Sequence, residues 1–142
     1  MVGLDLDPAG LRAAVGGLRA RASEKGTMGE MLQGGGHPYR GMLYGMTTRM
    51  YGDVDPRPVW GMMNDFGIAE SRMLGYWLED APVRTSEDPV IATSFVREDA
   101  VLVALASWSE VDETVALTVD LEALGFSGEM VWEAPEVEGL QE

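Results

Sequence analysis

Cysteine is absent from this 142-residue chain, which excludes a disulfide framework, a thiolate zinc site and a cysteine nucleophile. Histidine occurs once, as His37 between Gly36 and Pro38, so nucleophilic catalysis of the Ser-His-Asp kind has one position to draw on. The Gly-x-Ser-x-Gly nucleophile elbow is missing, and one imidazole cannot build a zinc site unless carboxylates are recruited to it. No apolar run approaches the roughly 20 residues of a membrane helix. The opening Met1-Val2-Gly3-Leu4-Asp5-Leu6-Asp7 carries acids where a secretory signal carries bases; the expectation is no membrane association and, by default, a cytoplasmic location. Bases are scarce in the C-terminal part: from Thr85 onward 14 acidic residues stand against Arg97 alone, a net of −13 out of the chain's −14. Such a surface repels polyanions, so nucleic acid is not an expected partner, and acidic loops and edges serve solubility.

What is present is organised around Val101-Leu102-Val103-Ala104-Leu105-Ala106-Ser107-Trp108, a sharply bounded apolar run that reads as a strand buried on both faces. Val90 to Arg97 precedes it across Glu98-Asp99, and Thr114 to Asp120 follows it across Ser109 to Glu113; three strands joined by short polar loops predict a β-meander. Arg72 to Trp77 reads as an earlier strand and Met130-Val131-Trp132 as a later one, with Leu121 to Gly125 as a single helical turn closed by glycine. Five strands are legible where a sandwich needs about seven.

The N-terminal part reads as helical. Asp7-Pro8 opens an amphipathic helix whose Leu11, Val15, Leu18 and Ala22 recur at three- and four-residue steps until Lys25-Gly26. Gly16-Gly17 weakens it by up to about 1 kcal/mol per glycine, so it needs tertiary support. A methionine- and glycine-rich stretch follows, with a helix expected from Pro38 through Met50; Asp55-Pro56 then starts another that runs to Gly67. The fold class is therefore α+β: a helical segment over 1–70 packed on an incomplete antiparallel β-sandwich-like domain over 71–142.

Candidate chemistry is sparse. Gly34-Gly35-Gly36 lacks the Gly-Lys-Ser/Thr ending of a phosphate-binding loop, and Asp53/Asp55 lacks the spacing of a calcium loop, so neither metal nor cofactor is expected. Glycoside hydrolysis needs two carboxyls at a defined separation. Four adjacent acidic pairs occur, Glu79-Asp80, Glu87-Asp88, Glu98-Asp99 and Asp112-Glu113, and each falls in a loop where turn chemistry explains it. Glu30, in an apolar and glycine-rich setting, is the candidate proton donor if burial raises its pKa; a surface glutamate is the alternative. Tyr39, Tyr44, Trp60, Tyr76 and Trp77, with His37, are candidate sugar-binding residues, since an amphipathic aromatic offers an apolar face and a polar tip. Core packing is the competing reading for each ring.

Several strings carry a family resemblance: Met28-Gly29-Glu30-Met31-Leu32-Gln33-Gly34-Gly35-Gly36, Arg40 to Thr47, Asp55-Pro56-Arg57-Pro58-Val59-Trp60, Asp65-Phe66-Gly67-Ile68, Met73-Leu74-Gly75-Tyr76-Trp77, Ala104 to Trp108, and Ala134 to Gly139. In this order they resemble the late barrel region and C-terminal β-sandwich of large bacterial proteins similar to glycoside hydrolase family 123. The resemblance implies that the stretch from about 27 to 70 is a remnant of a (β/α)₈-type barrel. It also implies that the family's catalytic centre, an adjacent Asp-Glu pair acting with the substrate's acetamido group, belongs to barrel strands this chain does not contain. Two functions are expected from it: the non-catalytic C-terminal portion of a glycoside hydrolase-like protein, or a stand-alone carbohydrate-binding or protein-docking β-module. Carbohydrate is the candidate partner, and the methionine-rich residues 27–63 are expected to promote self-association.

Overall fold

The computed structural model describes residues 2–4, 39–46, 55–109, 111–138 and 140; the helix expected over 8–24, Glu30 and His37 lie outside the described residues. Among the described residues, six short strands form two antiparallel sheets. In one, β2 (Arg72–Leu74) and β5 (Val101–Ser107) flank β4 (Val90–Val96); in the other, β1 (Val2–Leu4) and β3 (Val83–Thr85) flank β6 (Leu117–Val119). The β4–β5 ladder is the longest, running from Val90 opposite Ser107 to Val96 opposite Val101.

Both strands of that ladder are mostly apolar, with Thr93, Ser94 and Ser107 as buried polar exceptions, because each face of the sheet is covered by something different. Side chains alternate along a strand, so Val101, Val103 and Leu105, with Val90, Ala92 and Val96, meet the second sheet and its Val83, Val115, Leu117 and Val119. Leu102, Ala104 and Ala106, with Ile91 and Phe95, face the other way, toward Tyr39, Met42, Leu43, Val59 and Met63. The expected strand buried on two sides is thus found, most fully over Ala104–Ser107. The molecule has three layers: helical pieces, the β2-β4-β5 sheet, and the β1-β6-β3 sheet.

The helical layer is built from α1 (Arg57–Phe66) and a 3-10 turn over Arg40–Tyr44. In α1, Pro58 sits in the first turn, where a missing N–H costs nothing. Val59 and Met63, four residues apart, put one face into the core. Over 39–46, the described part of the helix expected from Pro38 through Met50, the chain instead forms this one 3-10 turn, closed at Gly45 with φ 71°, a left-handed conformation that glycine adopts without strain. Val137 and Leu140 return from the far end of the chain to the same core.

Other expectations are corrected in detail. The third strand of the meander does not pair with β5; after Trp108 the chain crosses to the opposite sheet, where Leu117–Val119 pairs with β3 and β1. Val115, Leu117 and Val119 alternate as expected, but their apolar face closes the sandwich from the other side. The strand expected over Arg72 to Trp77 stops at Leu74, because Gly75 begins a turn in which Leu78 N–H donates to the Gly75 carbonyl at 3.1 Å. Met130-Val131-Trp132 is not a strand; Val131 is 93% exposed. The helical turn α2 (Leu121–Leu124) is present, capped by the Asp120 carboxylate, which accepts from Ala123 N–H at 3.0 Å.

Candidate functional site: an exposed aromatic cluster beside a groove

The turn after β2 presents Tyr76, Trp77 and Leu78 at 36%, 53% and 41% exposure. Three consecutive large apolar side chains outside the core make a patch that calls for an explanation. Gly75 makes the turn possible: a Cβ there would stand 2.4 Å from the Trp77 ring, so the indole can fold back across the backbone only over a glycine.

Tyr44, at the end of the 3-10 turn, completes the group. Its ring is parallel to the Trp77 indole, 6° between planes and 6.2 Å between centroids. Tyr76 stands edge-on to both, 5.8 Å from Tyr44 and 5.2 Å from Trp77, the arrangement that ring quadrupoles favour. The Tyr76 hydroxyl donates to the Tyr44 hydroxyl at 3.1 Å. From below, the buried Thr93 hydroxyl on β4 accepts from Tyr76 N–H at 3.4 Å and donates to the Leu43 carbonyl at 2.8 Å. One side chain therefore fastens both segments that carry the rings to the central sheet.

A groove of about 250 Å³ adjoins the cluster, lined by Tyr76, Leu78, Glu79, Arg84, Thr85 and Ile91 among others. Arg84 closes its rim, donating through Nε to the Ala81 carbonyl at 3.2 Å and through Nη2 to the Glu79 carbonyl. Its guanidinium carries five N–H donors, so donor capacity remains beyond those two bonds.

The hydrogen bond to Tyr44, helped by partial burial, pushes the Tyr76 phenol up to about 12 from 10.0. The protonated form is the one the folded state favours. Its stabilisation is therefore complete below pH 10 and is lost as pH rises through about 12. Phenolate absorbance followed against pH is expected to show Tyr76 titrating late in the wild-type chain, as core Tyr39 also does, and only Tyr76 returning toward the ordinary range in Tyr44→Phe. Elsewhere, the Asp55 carboxylate is held at about 2 by hydrogen bonds from the Arg57 side chain, 2.5–3.0 Å, and from Arg57 N–H at 3.0 Å; both residues are solvent-exposed and the pair serves the start of α1.

The other sequence candidates are not gathered here. Tyr39 is 2% exposed and packs in the core, its hydroxyl donating to the Asp55 carbonyl at 3.0 Å. Burial, then the Asp55 charge, raises its pKa. Trp60 is half-buried on α1 and is not one of the three rings that meet. The acidic pairs Glu79-Asp80, Glu87-Asp88 and Glu98-Asp99 are exposed in separate turns, and Glu113 accepts from the Ser109 hydroxyl at 2.8 Å beside exposed Asp112. Among the described residues no group of three or more His, Asp or Glu side chains gathers to hold a metal. Thr93, Arg84 and Thr85 were not singled out by sequence; the one signal for the site was the glycine followed by two aromatics at Gly75-Tyr76-Trp77.

Comparison with known proteins gives one family and no individual relative: no curated protein and no solved structure matches the chain. Residues 55–142, more than half of the chain, match the family model described as Glycoside hydrolase 123, C-terminal domain, and the chain belongs to that family.

Proposed function

We propose that this chain is the non-catalytic C-terminal portion of a glycoside hydrolase, with residues 71–142 as its accessory β-sandwich-like domain. Residues 1–70 lead into that domain, contribute β1 to its second sheet, and include, from about residue 27, a remnant of the preceding barrel. The observation that carries the reading is the make-up of the groove: of the side chains lining it, Glu79 alone is a carboxylate, whereas glycosidic cleavage by a carboxyl pair requires two acids about 5–9.5 Å apart across one sugar. The match to the C-terminal domain of the family supports it as well. So does the packing of Tyr39, Met42 and Leu43 on Phe95 and Ala104, which joins the segment before the matched residues firmly to the sheet.

The test is turnover. The purified chain is expected to release no aryl group from aryl N-acetylhexosaminides above the buffer rate. Turnover abolished by Glu30→Gln would contradict the reading and make this chain an enzyme. The second function, a stand-alone carbohydrate-binding module, is favoured by one observation, the exposed rings of Tyr76 and Trp77.

A further inference from the structure

We propose that Tyr44, Tyr76 and Trp77, with the adjoining groove, form a binding site for uncharged saccharide, the C–H face of a pyranose lying against the exposed indole of Trp77. The proposal stands whether or not the chain is catalytic.

Four observations converge on this occupant. First, the platform is preorganised. Trp77 is half-exposed yet braced by two rings and by the tight turn at Gly75, and Tyr76 is held at both its N–H and its hydroxyl. A side chain already fixed loses little entropy when a ligand arrives. Second, the aromatic rings stand next to polar residues at the groove rim, Arg84 and Glu79. A sugar has the same two-sided character, with C–H faces and hydroxyl edges. Third, the groove of about 250 Å³ lies below the roughly 300–1,000 Å³ of an enclosing ligand pocket, so a ligand there would rest on the surface and not be enclosed. Fourth, the chain's net charge of −14 disfavours polyanionic glycans, so the occupant proposed is a neutral saccharide.

The site is also bipartite. Tyr76 and Trp77 belong to the family-matched residues 55–142, whereas Tyr44 precedes them. The third ring is delivered only because Tyr39, Met42 and Leu43 anchor the 3-10 turn in the core. Tyr44 is a positioning residue: it holds Trp77 and Tyr76 in place for the ligand.

The experiment is affinity electrophoresis and calorimetry of the full chain with cello-, galacto- and N-acetylchito-oligosaccharides, and with oligogalacturonate as an anionic control. Binding to at least one neutral oligosaccharide is expected. Trp77→Ala should weaken it about tenfold or more, the equivalent of about 1.4 kcal/mol. Tyr44→Phe keeps the ring and should weaken binding only a few-fold, while Tyr44→Ala should approach the Trp77→Ala loss. Trp77 is half-exposed, so its variant is expected to fold, and circular dichroism checks this. Failure of the folded wild-type chain to bind any neutral oligosaccharide overturns the proposal, as does binding unchanged in Trp77→Ala or preference for oligogalacturonate. A concentration-dependent dimer that Trp77→Ala dissolves would instead assign the patch to a second copy of the chain. Equal binding by wild type and Tyr44→Ala would remove the bipartite construction and leave the Trp77 platform standing. None of these outcomes depends on the hydrolysis assay.

Discussion

Replacement of Leu43 by alanine is expected to lower folding stability by about 2–5 kcal/mol, read as a fall in the denaturant midpoint at unchanged slope. Leu43 is 0% exposed and packs in one cluster with Val59, Met63, Phe95 and Ala104. Removing its isobutyl group leaves a cavity between two layers that cannot close without moving either α1 or the sheet. The size of the effect carries a structural message, because Leu43 lies upstream of residues 55–142, the part that defines the family. A chain cut at residue 55 would lose Tyr39, Met42 and Leu43 together from that core and should unfold at lower denaturant than the whole chain. A Leu43→Ala variant as stable as wild type would show that residues 39–46 only rest on the domain.

The second large effect is expected at Thr93. Thr93→Val keeps the shape but deletes a hydroxyl that serves as donor to the Leu43 carbonyl and acceptor for Tyr76 N–H. The position is wholly buried. Both partners are then left without this bond, at a cost of about 1–3 kcal/mol, and valine is no substitute for threonine where the hydroxyl is used. The loss should reach the surface. Near-ultraviolet circular dichroism from the Tyr44–Tyr76–Trp77 cluster should weaken in Thr93→Val and be largely retained in Thr93→Ser. A spectrum that does not change would mean that the rings are held by their mutual contacts alone.

The parts of the fold that were legible in the sequence are those set by local periodicity. The apolar runs of β4 and β5 and their pairing across Glu98-Asp99 followed from the alternation and the polar turn. So did α1 with Val59 and Met63 on one face, and the glycine-closed turn after Asp120. What the periodicity could not carry is which sheet a strand joins. Val115, Leu117 and Val119 alternate identically whether they extend the β4–β5 sheet or cover it, and only the second arrangement buries Val90, Ala92 and Leu105. At Arg40–Tyr44 the expected helix is a single 3-10 turn, because Gly45 ends it in a left-handed conformation that periodicity does not reveal.

The site was legible by half. Tyr76 and Trp77 stood out as consecutive aromatics, but their spacing is compatible with a strand, in which one of the two would point into the core. The turn forced at Gly75 puts both outside. Tyr39 and Tyr44 looked alike in sequence. One became core and the other platform, because they occupy opposite ends of the same short turn. Nothing local to Thr93 distinguishes it from any other strand threonine; its role appears only where three elements meet.

The core at Leu43 and the platform at Trp77 both depend on contact between the two parts of the chain. The most direct test is nuclear Overhauser spectroscopy of the isotopically labelled full chain. Cross-peaks are expected between the Tyr44 ring and the Trp77 indole, together with cross-peaks from the Leu43 methyls to the Phe95 ring. Their absence from a folded chain in which the β4–β5 ladder is intact would contradict that contact.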